Sequence, residues 1–163
     1  TETNWPLHGT GEYSPLAGAY TPRDYVESPL HVDEATYAAF MVRYALIALC
    51  SGMTARVWWW RLAARGYGLV DDVDGFRPRP AWAALGQFHR TAGQDRFLRR
   101  EERAGASWWY FAHCTVVYAP SPTTIVVPAD VSSVVDLQGH PLALTAGQSL
   151  VVTGEPVYLL PLR

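Results

Sequence analysis

Lysine is absent from this 163-residue chain, whose basic side chains are 13 arginines. Against 15 acidic residues the formal net charge is -2, which gives no reason to expect nucleic acid or an anionic membrane as partner. The one local arginine cluster, Arg96–Arg103, is diluted by Glu101 and Glu102. It reads as a solvated helical or loop segment rather than a phosphate-tracking groove. Cysteine is scarce too, and two residues make no disulfide framework. Cys50 closes an apolar helical stretch and Cys114 lies in an aromatic strand-like run, so both read as buried small hydrophobes and the redox compartment stays open. No apolar run reaches the length of a helical membrane span. The chain reads as soluble, with its localisation open and any signal peptide outside the segment.

Signatures of metals and cofactors are missing as well. His8, His31, His89, His113 and His140 are scattered, with no HExxH and no Cys/His spacing of a zinc site. An EF-hand register on Asp71–Gly75 would run from Val70 to Ala81, so both outer ligands are lacking and the segment reads as a polar turn. Gly9-Thr10-Gly11 lacks the third glycine and the preceding strand of a nucleotide fingerprint. No G-x-S-x-G elbow occurs. Neither a cofactor nor a metal is expected.

What the chain has in excess is aromatics: seven Trp, nine Tyr and five Phe within a composition 49% hydrophobic and 17% charged. That composition is globular, and aromatic faces can pack a core or stack on the C–H faces of sugars. Two halves differ in texture. In residues 6–32 four Pro and three Gly show no period and predict a long loop. Asp33-Glu34 then open a helix, with Tyr37, Phe40, Met41, Tyr44, Ile47 and Ala48 at three- and four-residue spacing, and Gly52 stops it. The bulky run Ala55-Arg56-Val57-Trp58-Trp59-Trp60 predicts a strand buried on both faces. Pro80 takes the first position of a second helix marked by Trp82, Leu85, Gln87 and Phe88. From residue 95 onward, β-type runs at 107–112, 115–118, 123–127, 131–137 and 150–160 alternate with turn signals, as in an antiparallel sandwich.

The chain opens on Thr1-Glu2-Thr3-Asn4-Trp5-Pro6, a carboxylate beside an Asn and a Trp. Together with Val57-Trp58-Trp59-Trp60-Arg61-Leu62, Gly66-Tyr67-Gly68-Leu69-Val70-Asp71, Arg79-Pro80-Ala81-Trp82 and the closing Pro156-Val157-Tyr158-Leu159, it resembles the end of the catalytic barrel in retaining glycoside hydrolases of the large (β/α)8 superfamily (clan A). The resemblance spans nearly the whole chain. It implies a fold of α/β plus all-β class. By the same resemblance residues 1–94 are expected to be the last two βα units of a TIM barrel, and residues 95–163 an accessory antiparallel β-sandwich.

In that superfamily the nucleophilic glutamate ends the seventh strand and an aromatic ends the eighth. By resemblance Glu2 takes the nucleophile position and Trp59 lines the sugar site, with Asn4, Trp5 and Arg61 as further substrate-binding residues. The family's acid/base glutamate sits on a fourth strand that has no counterpart here, and Glu27 and Glu34 stand in loop and helix contexts that do not match it. A carbohydrate substrate is therefore expected, and with it the missing N-terminal barrel portion or another chain. The 163 residues alone are expected to be inactive. The competing reading is a non-catalytic carbohydrate-binding or scaffolding β module, resting on Trp108, Trp109 and Tyr110. Period-two alternation puts Trp108 and Tyr110 on one face and Trp109 on the other.

Overall fold

The structure, a computed structural model, describes residues 4–8, 13–14, 19–20, 30–59, 61–72 and 75–162. Its elements are mostly antiparallel strands with two helices. Two short strands come first, β1 (Tyr13–Ser14) and β2 (Ala19–Tyr20), paired with each other. Helix α1 (Glu34–Cys50) starts where the sequence predicts. The Asp33 carboxylate accepts from the Thr36 amide at 2.6 Å, satisfying one of the orphan N–H groups of the first turn. Just past the end, Gly52 takes φ +71°, where a side chain would be strained. A small hairpin, β3 (Val70–Asp71) with β4 (Arg77–Pro78), leads into α2 (Pro80–Arg90), and Pro80 holds its first position.

The remaining strands are β5 (Phe97–Arg103), β6 (Ala106–Phe111), β7 (Thr115–Tyr118), β8 (Thr123–Val126), β9 (Val131–Val135), β10 (Pro141–Leu142), β11 (Ser149–Val152) and β12 (Val157–Pro161). Six of them form one antiparallel sheet in the order β10-β9-β12-β7-β6-β5, and β8 pairs with β11 in a second. A cluster of Trp108, Val117, Ile125, Val134, Leu150, Val152 and Leu159 fills the space between the two sheets. This is the sandwich that the turn spacing predicts, with 150–160 divided into two strands at Gly154. The opposite face of the large sheet (Trp109, Phe111, Val116, Tyr158) joins Met41, Val42 and Leu46 of α1 and Ala84 and Phe88 of α2 in a second continuous core.

Two expectations are overturned. Arg96–Arg103 is neither helix nor loop: Phe97–Arg103 is the edge strand of the large sheet, in register Arg99↔Tyr110, Arg100↔Trp109 and Glu101↔Trp108. Charged side chains suit such an edge, because they discourage pairing with another chain. Of the buried strand expected at 55–60, the described residues 55–59 form none. Val57–Trp59 belong to no strand, and Trp58 is 71% exposed. A parallel-sheet strand needs ladder partners on both sides. Among the described residues the parallel pairings are two isolated bridges, Leu7↔Val32 and Ala63↔Val70. No closed barrel is present among them.

Cys50 and Cys114 are free, and burial pushes their thiols up to about 11 and about 12. No helix among the described residues is long and apolar enough to cross a membrane.

Candidate functional site

The first described segment, Asn4–His8, runs beside the loop that precedes α2. Leu7 donates to the Gly66 carbonyl at 2.9 Å and His8 to the Val32 carbonyl at 3.0 Å, so this segment is fixed against both the loop and the approach to α1. Arg79 organises the loop. Its guanidinium is 1% exposed and donates to the carbonyls of Ala64 (2.8 Å), Gly68 (2.7 Å) and Arg65. It also pairs with Glu34 at 3.1 Å and Asp71 at 3.0 Å. A planar fork of five donors can serve several acceptors at once, which a lysine could not. The close turn requires Gly68, since a Cβ there would lie 2.3 Å from the Ala64 nitrogen.

On this loop the Tyr67 carbonyl collects two donors. The Asn4 side-chain amide reaches it at 2.9 Å, while the Asn4 carbonyl oxygen accepts from the Trp5 backbone N–H at 2.8 Å. The Tyr37 hydroxyl of α1 is the second donor to Tyr67, and it accepts from the Trp59 indole N–H at 2.9 Å. Tyr37 is wholly buried, and desolvation pushes its phenol up to about 12, so it stays protonated as a donor. Trp5 stacks on Trp59, centroids 5.8 Å apart at 26°, and Tyr37 and Tyr44 meet Trp59 edge-on at 5.7 and 6.3 Å. Trp5 also packs against Phe40 at 5.2 Å. Beside it opens a groove of about 260 Å³ lined by Trp5, Phe40, Arg43, Tyr44 and Ile47.

Of the residues predicted from the sequence, Asn4, Trp5 and Trp59 thus meet in one network. Arg61 is exposed and follows with φ +63°, a region that costs a non-glycine residue about 1 kcal/mol or more and is concentrated at functional sites. Glu2 lies outside the described residues. Glu34, at the start of the helix that carries Tyr37, is unsuited to proton donation. The Arg77 guanidinium, donating at 2.6 Å, and then Arg79 hold its carboxyl below the usual range, whereas a general acid needs the reverse. Tyr37 and the Tyr67 carbonyl went unrecognised in the sequence. Tyr37 reads there as one more apolar-face position of α1, and a backbone carbonyl leaves no residue signature. Among the described residues no three His, Cys, Asp or Glu side chains converge as a metal site.

No protein-family model matches the sequence, and no curated protein matches it significantly. A solved structure does: a family 39 glycoside hydrolase from the gut symbiont Bacteroides cellulosilyticus WH2, with a TM-score of 0.68 at 17% identity over 85% of this chain. That likeness shows a shared fold. The chain spans 36% of the length of that structure.

The aromatic run of the sandwich offers no open platform. Trp108 is 2% exposed and faces the small sheet; Trp109 is 3% exposed and faces the helices. Trp108 and Tyr110 lie 6.4 Å apart at 16°, with the guanidinium of Arg99 over Tyr110 at 4.0 Å and that of Arg103 over Trp108 at 5.4 Å.

Proposed function

We propose that this chain carries the nucleophile of a retaining glycoside hydrolase, as the last two βα units of its (β/α)8 barrel followed by an accessory sandwich. The observation that carries the reading is the fold likeness to a family 39 glycoside hydrolase across both halves of the chain. The stacking of Trp59 on Trp5, in the Asn4–Trp5 segment that closely follows Glu2 in sequence, supports it. The remaining barrel, from an N-terminal portion or another chain, supplies the acid/base carboxyl. Nucleic acid and membrane have no part in it.

In this reading Glu2 attacks the anomeric carbon while the second carboxyl, about 5–5.5 Å away, protonates the departing glycosidic oxygen. The C–O bond to the leaving group breaks as the glycosyl-enzyme ester forms. The second carboxyl, now a base, takes a proton from water, which attacks the same carbon and frees Glu2. In this reading Trp59, stacked on Trp5, borders the C–H face of the sugar, and Arg61 serves hydroxyls at the rim. The covered faces of Trp108 and Tyr110 disfavour the alternative of a carbohydrate-binding β module.

Replacing Glu2 by Gln in the protein that carries the whole barrel abolishes turnover of aryl glycosides. Azide partly restores Glu2→Ala and yields a glycosyl azide of inverted configuration relative to the substrate. Unchanged hydrolysis by Glu2→Gln removes the nucleophile assignment.

A further inference from the structure

Trp59 presents a geometrical problem. Its neighbours Val57 and Trp58 share no strand ladder with it, and Trp58 turns to solvent, so no regular backbone pairing sets the direction of the Trp59 ring. Among the described residues, the ring meets a stack from Trp5, two edge contacts from Tyr37 and Tyr44, and a hydrogen bond from its indole N–H to the Tyr37 hydroxyl. The stack and edge contacts are tolerant of rotation and sliding. The hydrogen bond is directional.

The Tyr37 hydroxyl is bonded on both its donor and its acceptor side. Its one proton goes to the Tyr67 carbonyl and a lone pair takes the Trp59 indole N–H. The other lone pair of that carbonyl takes the Asn4 amide. A phenylalanine at position 37 would give the same buried ring with no hydroxyl to desolvate, and burying an unpaired hydroxyl is costly. The hydroxyl is sustained by bonds to two separate segments, 30 and 22 residues away in sequence. One belongs to the loop that also holds Asn4, two positions from Glu2. The other carries the ring expected to face the sugar.

We propose that Tyr37 is a positioning residue. Through the Tyr67 carbonyl its buried hydroxyl ties the orientation of the Trp59 ring to the Asn4 segment that follows Glu2. The catalytic consequence rests on the glycosidase reading; the structural link does not. In a retaining mechanism the distance between the nucleophile and the plane on which the sugar lies has to be held to a fraction of an ångström, and small misplacements are costly in rate. A buried node shared by both parts supplies that constraint from outside the reacting centre.

Two measurements on the full-length protein test it. With indole nitrogens labelled, the Trp59 N–H in the parent exchanges at least about tenfold more slowly than that of exposed Trp58, and Tyr37→Phe removes most of that difference and shifts the resonance. Equal exchange at Trp58 and Trp59 in the parent, or protection undiminished in Tyr37→Phe, overturns the link. The first comparison needs no variant, so it decides even if Tyr37→Phe does not fold. In kinetics on aryl glycosides, at a temperature where the variant remains fully folded, Tyr37→Phe lowers kcat/KM about tenfold. A loss of activity only in step with lost stability reduces Tyr37 to a core residue. A parent without glycosidase activity removes the enzymatic reading, while the exchange data still judge the orientation.

Discussion

Arg79 is the residue on which the loop bearing Tyr67 depends. Desolvating a guanidinium is costly, and here three carbonyls and two carboxylates offset that cost. Its partner Glu34 stands in the first turn of α1, where negative charge is favoured in its own right. Glu34 also takes Arg77, so its carboxyl sits below its ordinary 4.5, the Arg77 hydrogen bond being the largest cause. The sign of the pH dependence follows. With the folded value depressed, the ionised carboxylate contributes stability fully above the ordinary value near 4.5, and that contribution is lost as pH falls through the lower folded value. Glu34→Gln is therefore expected to be less stable than the parent at pH 7 and to lose less on acidification. Urea midpoints at pH 7 and below pH 4 check this, and parallel acid losses in the two proteins would remove Glu34 from the account.

At the scale of elements, the two helices were legible because their signals are local. Asp33 sits four residues before Tyr37, the first of a three- and four-residue apolar period, and Pro80 suits the first turn of a helix. The strands from β6 to β9 were legible from the turn residues between them. Strand β5 was not, since Arg99, Arg100, Glu101, Glu102 and Arg103 show no apolar alternation. Its place is decided by a neighbour, β6, whose Tyr110, Trp109 and Trp108 take the guanidiniums of Arg99, Arg100 and Arg103 over their rings at 4.0, 4.7 and 5.4 Å. The Trp58–Trp60 run failed for the converse reason: bulky side chains suit a buried strand, but the ladder partners are a tertiary matter. At the site, Asn4 and Trp59 were picked out by the resemblance, whereas the Tyr67 carbonyl, 63 residues from Asn4 and linked to Trp59 through the Tyr37 hydroxyl, leaves no residue signature. The edge position of β5 makes its charges a safeguard. Arg99→Ile combined with Glu101→Val leaves strand propensity intact and strips two charges from the edge. Light scattering across a concentration series is expected to show association well above that of the parent, and identical scattering would mean that the edge is protected by something else.

Across the whole molecule, the division at residue 94 between barrel-type and sandwich sequence is not a division between cores. Phe88 of α2, 5% exposed, belongs to one apolar cluster with Met41 and Leu46 of α1 and with Trp109, Val116 and Tyr158 of the large sheet. The sheet thus has two buried faces, one filled by the small sheet and one by the helices. Strands β7 and β12 contribute to both clusters, through Val116 and Tyr158 on one side and Val117 and Leu159 on the other. A sheet held this way cannot release the helices without exposing half of its own apolar surface, so the two segments are expected to unfold together. Phe88→Ala tests that coupling. Emptying a large buried aromatic costs about 3–5 kcal/mol. If the cluster is one cooperative unit, amides in β7 and β12 gain exchange by the same free energy as those in α1, although no atom of the sandwich has been altered. If instead the loss is confined to α1 and α2 while the exchange of β7 and β12 stays at its parent rate, the sandwich is an independent folding unit that the helices only rest upon.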